Sequence, residues 1–158
     1  MPTIATQKIT PFLWFNDNGE EAINFYCSVF QNTKVLSKSS GPDGKMFMGT
    51  MEIKGMNIHF LNGGPHPVKF SEATSFFVSC ENQEEVDSLW NQLTAGGGEE
   101  SRCGWLKDKF GFSWQIIPTA LMKYMSDPDK EKANRVMQAM MKMNKIIVAD
   151  LQKAYDGK

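Results

Sequence analysis

His59, a single histidine on an apolar strand, is the residue of this chain best placed for chemistry. A neutral imidazole there can act as a general base on an acidic C–H or hydroxyl, or serve as a hydrogen-bonded structural group. Its counterpart by internal repetition is Gln115, whose amide can hydrogen-bond a substrate oxygen. These two are the candidate catalytic residues. His66 sits in the stretch Asn62, Gly63, Gly64, Pro65, His66, Pro67 and is expected in solvent. Cys27, Cys80 and Cys103 are odd in number, widely spaced and outside any CxxC motif. They read as reduced packing thiols. Lys107 and Asp108 read as a surface turn, with Asp108 bonding local amides. Trp105 and Trp114 either line an entrance or pack under a C-terminal helix. The run Gly96, Gly97, Gly98 follows a helix and reads as its stop, so it does not form the strand-to-helix turn of a nucleotide or methyl-donor cradle.

These residues are positioned by a repeat. PFLWFNDNGEEAINFYCSVF (11–30) and SFFVSCENQEEVDSLWNQLT (75–94) share a pattern at an offset of 64. Each is an apolar strand, an Asn, a Glu pair and an amphipathic helix. Asn18 answers Asn82, Glu20 and Glu21 answer Glu84 and Glu85, and Tyr26 answers Trp90. Asn18 and Asn82 are expected as N-caps, Asn18 with Glu21 in a capping box. Ala22, Ile23, Tyr26, Val29 and Phe30 fall on one face of the first helix, and Val86, Leu89, Trp90 and Leu93 on one face of the second.

Residues 55–61 match residues 111–117 at an offset of 56, which pairs His59 with Gln115. Strands are expected over 9–15, 33–39, 45–53 and 56–61, then over 75–80, 100–103, 105–107 and 112–117. Lys54 and Gly55 read as a tight hairpin. Each half is therefore β-α-β-β-β. The expected organisation is one domain over 1–158: modules over 9–61 and 71–118, a linker over 62–70 and a helical extension over 119–158. Asp127 and Pro128 predict the start of one helix reaching about Tyr155, with Asp127 as N-cap. Its stripe of Ala133, Met137, Met140, Ile147, Leu151 and Ala154 suits packing on its own domain, a dimer contact or a lid.

With 41% hydrophobic and 22% charged residues and a net charge of −1, the chain has an ordinary globular balance and no basic cluster for nucleic acid or an anionic membrane. No apolar run is long enough to span a bilayer. The first eight residues lack an apolar leader, and a cytoplasmic location is expected.

Paired β-α-β-β-β modules with this wording resemble the glyoxalase, or vicinal-oxygen-chelate, superfamily. The 11–30 segment, CGWLKDKFGFSWQIIP (103–118) and MQAMMKMNKIIVADLQKAYDG (137–157) resemble its PhnB-like subgroup, labelled 3-demethylubiquinone-9 3-methyltransferase. The resemblance spans about 9–157. It implies an α+β fold of cup-like sheets, with the paired modules forming one cavity within a chain or across a dimer. In metal-dependent members His and Glu ligands come from the first and last strands of each module. Here those positions fall on Pro11, Ser75, His59 and Gln115. One imidazole and one amide are fewer donors than a catalytic divalent ion needs. No metal ligand set is therefore expected, and the cofactor is unknown.

Strand alternation extends the cavity face from His59 and Gln115 to Leu13, Phe15, Asn57, Leu61, Phe77, Ser79, Ser113 and Ile117. Ser75 and Trp105 join them as candidate pocket residues. The expected function is binding of a small molecule in that cavity by a homodimer, without nucleic acid or membrane partners. Two alternatives stay open. One is an enzyme, either a metal-assisted lyase or isomerase or the methyltransferase of the subgroup label. The other is sequestration of an aromatic, drug-like ligand, as in bleomycin resistance.

Overall fold

A computed structural model describes residues 7–158; the expectation of no apolar leader bears mainly on 1–6, outside the described residues. The chain divides into two compact units, one ending at Val68 and the other beginning at Lys69. Each has its own four-stranded sheet, and the two expected β-α-β-β-β orders are present.

In the first unit the elements are β1 (Phe12–Phe15), α1 (Gly19–Val29), β2 (Thr33–Ser40), β3 (Met46–Ile53) and β4 (Met56–Asn62). The sheet order is β1-β4-β3-β2, with β1 parallel to β4 and the other pairs antiparallel. Lys54 and Gly55 both have positive φ, the geometry of a two-residue hairpin that follows the strand twist. Ala22, Ile23 and Tyr26 of α1 are buried, as are Leu13, Phe15, Met51, Ile58 and Phe60. One sheet face is therefore the core.

The cap of α1 differs from expectation. Asn18 occupies the N-cap position but makes no side-chain cap bond. Asn62, at the end of β4, does this work instead. Its Oδ1 accepts from Gly19 N at 2.7 Å and its Nδ2 donates to the Met46 carbonyl at 2.9 Å. An orphan amide of the helix is thus satisfied by the sheet.

The second unit contains β5 (Ser75–Cys80), α2 (Gln83–Thr94), β6 (Glu99–Glu100), β7 (Trp105–Lys107) and β8 (Ser113–Pro118), in sheet order β5-β8-β7-β6. Here the predicted cap is made. Asn82 Oδ1 accepts from Glu85 N at 2.9 Å, and Glu85 returns a carboxylate to Glu81 N at 2.7 Å. Asp108 is the buried organiser of the β7–β8 turn, rather than a surface residue. It is 2% exposed and accepts from Phe110 N, Phe112 N and Trp114 Nε1 at 2.9–3.1 Å.

The helical extension is present but is not one continuous run. It comprises α3 (Thr119–Met125), α4 (Lys130–Met140) and α5 (Val148–Asp156). The cap of α4 is Asp129, which accepts from Glu131 N and Lys132 N. The expected cap, Asp127, instead accepts from Asp129 N and from the Tyr155 hydroxyl. The interruption has a tertiary cause. The carbonyls of Met143 and Asn144 accept from Cys103 N and Gly104 N, both at 2.8 Å. A helix running through Asn144 would need those carbonyls for its own amides. Breaking the helix lets Val136, Ile146 and Leu151 bury together against Ile117 and Leu121.

Two tests follow from these contacts. Asp108→Ala leaves two amides and an indole without their buried acceptor, and should destabilise the protein by on the order of 3 kcal/mol in urea unfolding. The Tyr155–Asp127 bond, 2.6 Å, lifts the phenol above its usual range and holds the carboxyl below its own. A raised phenol contributes stability below its unfolded pKa of about 10 and loses it as pH rises through the folded value; a lowered carboxyl contributes above about 4 and loses it as pH falls. Tyr155→Phe should therefore lose less Tm than the parent as pH rises above about 10. Parallel curves would show that the bond is unimportant.

Candidate functional site

The face of the first sheet away from α1 holds His59. Register places Phe12 beside His59, His59 beside Thr50 and Thr50 beside Ser37, so four strands contribute to one row. Thr50 Oγ1 and His59 Nδ1 are 2.8 Å apart, and the Phe12 ring meets the imidazole edge-on with centroids 6.0 Å apart. Nε2 makes no hydrogen bond among the described residues. If Thr50 accepts, Nε2 is a free base; if Thr50 donates, Nε2 carries a proton to offer. The next row holds Trp14, Leu61 and Met48. Phe12 and Trp14 are 50% and 47% exposed. Trp14 lies against Gly63, where an added Cβ would come within 2.4 Å of its ring, and against His66 with centroids 5.3 Å apart. Asn57 and Leu61 share the His59 face, as expected from alternation.

Leu13 and Phe15 do not. They are buried at 6% and 4%, on the α1 side, while Phe12 and Trp14 take the open face. The error lies in the phase of the repeat. Three residues lead from Phe15 to Asn18, but only two from Cys80 to Asn82. The helices correspond at an offset of 64, whereas the strands before them correspond at 65. Phe12 is thus the equivalent of Phe77, and the two are similarly exposed at 50% and 49%.

On the open face of the second sheet, Phe77, Gln115 and Trp105 form one row. Gln115 Nε2 donates to Ser75 Oγ at 2.9 Å. Ser75 and Ser113 share the next row, and Ser79 is exposed at the outer end. Ile117 is covered by the C-terminal helices. Trp114 faces α2, buried, with its indole on Asp108.

The phase correction bears on metal chemistry. The row partners of His59 and Gln115 are Phe12 and Phe77, replacing Pro11 and Ser75, and neither has a donor atom. Among the described residues no three His, Cys, Asp or Glu side chains converge as ligands. The donor set of one imidazole and one amide does not fit a divalent metal. A methyl-donor cradle fits no better at the glycine run. The run follows α2 and leads into β6 rather than joining a strand to a helix, and at Gly98 a Cβ would lie within 2.8 Å of Thr94 Cα, the Leu93 carbonyl and the Lys107 carbonyl. Cys80 offers no nucleophile, because burial, aided by Glu85, pushes its thiol up to about 12.

Sequence reasoning missed Thr50, Phe12 and Trp14. Only the loop length before each helix cap carried the signal. A wider cleft of about 610 Å³ is lined by residues including Asn16, Asp17, Asp43, Lys45 and Phe47. Its Asn16 and Asp43 oxygens already accept from His66 N and Lys45 N.

A family model described as 3-demethylubiquinone-9 3-methyltransferase matches residues 7–117. The match ends before α3, so the tail over 137–157 lies outside it. The PhnB protein of Bacillus cereus is 32% identical, with a TM-score of 0.67 over 71% of this chain and 99% of that one. A Pseudomonas aeruginosa protein is 18% identical, with a TM-score of 0.57 over 72% and 98%. A genomically encoded fosfomycin resistance protein of Listeria monocytogenes, solved with Mn(II) and sulfate, is 19% identical, with a TM-score of 0.50 over 69% and 88%. The last two show a common fold alone. No curated protein matches in sequence.

Gly63→Ala should displace the Trp14 ring from its seat. In a Trp14-only background, its emission should shift to the red relative to Gly63. An unshifted spectrum would mean that the ring does not rest on this glycine.

Proposed function

The chain belongs to the 3-demethylubiquinone-9 3-methyltransferase family, with the glyoxalase-superfamily fold, and from that premise we propose that it binds a small aromatic or apolar molecule on the open face of its first sheet. The carrying observation is His59, fixed at Nδ1 by Thr50 and with Nε2 unbonded among the described residues, beside the exposed rings of Phe12 and Trp14. Aromatic faces in contact with water gain by stacking on a ligand, and one fixed polar atom gives that ligand an orientation. A hydroxyl or carbonyl on the ligand would pair with Nε2. Gln115, braced by Ser75, is proposed to present its amide oxygen in the same way on the second sheet.

The family description names a methyl transfer, and the fosfomycin resistance protein was solved with Mn(II). The residues here support neither a methyl-donor cradle nor a divalent ligand set. A second reading keeps catalysis. With Nδ1 donating to Thr50, Nε2 is an oriented neutral base within reach of an acidic proton on the same ligand. Binding comes first in both readings, and turnover separates them.

The test is a thermal-shift and calorimetric screen of aromatic hydroxy and oxo compounds. A ligand at 100 times its Kd should stabilise the fold by about 2.7 kcal/mol. His59→Ala and Phe12→Ala should each weaken it roughly tenfold, the equivalent of about 1.4 kcal/mol. Unchanged affinity in both variants would overturn the proposal. So would near-stoichiometric divalent metal, found by elemental analysis and lost in His59→Ala.

A further inference from the structure

We propose that the second sheet carries a separate site for the primary ammonium group of an aliphatic amine. The site uses none of the residues around His59 and stands apart from the reading given for them. Register aligns Ser113 on β8 with Lys107 on β7, and Lys107 with Glu99 on β6. The three side chains therefore share one row on the face away from α2. With Glu72 and Trp105 they bound a cavity of about 100 Å³. At roughly 30 Å³ per water, this holds a small head group rather than a drug-sized molecule.

Ser113 marks the cavity as unfinished. It is 1% exposed, and its buried Oγ has no hydrogen-bond partner among the described residues. An orphan hydroxyl of this kind costs about 1–3 kcal/mol, so a native fold is expected to supply it with a partner.

The charges select the partner. Lys107 is already held by Glu72 at 2.5 Å, and this pairing raises the lysine and lowers the carboxyl. Glu100 faces the other way and accepts from Trp90 Nε1 at 2.7 Å. Glu99 makes no hydrogen bond or ion pair among the described residues, and its charge reaches Lys107 only at longer range. Glu99 and Glu72 against Lys107 leave these cavity-lining groups with one net negative charge, which disfavours an anion. The site has too few convergent ligands for a metal ion. A primary ammonium has three donors and no acceptor. Glu99 and the Ser113 lone pairs are acceptors for it, and Trp105 adds an aromatic wall suited to a cation.

The test uses the full chain and n-butylammonium chloride, with tetramethylammonium chloride at equal ionic strength as the control without N–H donors. The Trp105 indole resonance should shift saturably with n-butylammonium and not with the control. Glu99→Gln, an exposed substitution, should weaken the response at least tenfold, and Ser113→Ala should do likewise. His59→Ala should leave the titration unchanged, so failure here would not touch the ligand proposed there. No saturable shift, an equal response to tetramethylammonium or sodium, or an unchanged curve in Glu99→Gln would overturn the site. So would an ordered water alone, seen as amine-independent spectra in a Ser113→Ala protein more stable than its parent.

Discussion

The parallel pairing of β1 with β4 is the constraint on which the first unit rests. The pairing places Phe12 beside His59 and Leu13 beside Phe60. Side chains alternate in a strand, so this register sends Leu13 and Phe15 to the helix and Phe12 and Trp14 outward. A slip of one residue would put two aromatic rings into the packed core and expose two core residues. The same pairing ends at Phe15 and Asn62, and Asn62 then caps α1. Strand register, helix start and the face around His59 are therefore one arrangement.

The second unit reaches a similar arrangement by different local chemistry. Its helix carries its own cap at Asn82, and its β7–β8 turn is tied by a buried carboxylate. Asp108 binds two backbone amides and one indole. A carboxylate in a buried turn is tolerated when several donors surround it. Gln83 extends the unit to its tail, giving its amide to the Ile146 carbonyl and accepting from Val148 N. These bonds set where α5 begins.

Much of this was legible in the residues. The repeat, the strand and helix order, the hairpin at Lys54 and Gly55, and the cap at Asn82 all follow from local patterns. The caps of α1 and α4, the strand phase and the break in the tail did not. The strand phase depended on one extra residue between Phe15 and Asn18, a difference invisible when both segments are aligned on their Glu pairs. The periodic stripe over 133–154 continues through a position where the chain is not helical. Amides of Cys103 and Gly104, some forty residues earlier, take the carbonyls that a continuous helix would use. Long-range competition for backbone acceptors leaves no trace in local periodicity.

The phase error matters most for the chemistry. On an offset of 64 throughout, the positions beside His59 and Gln115 are Pro11 and Ser75, and the site reads as a metal centre short of ligands. With the strands at 65, those positions are Phe12 and Phe77, which have rings and no donors. The difference is one of kind. A ligand set short of one or two donors still attracts ions, whereas an imidazole flanked by exposed rings gains most from a flat organic partner. In the proposed binding role His59 then has a different task. Its Nδ1 is engaged by Thr50 within the sheet, so the direction of Nε2 is set before anything binds. A preset donor or acceptor among rings discriminates between ligands of similar shape by where they carry their polar atom, because a mismatched ligand leaves that nitrogen unpaired.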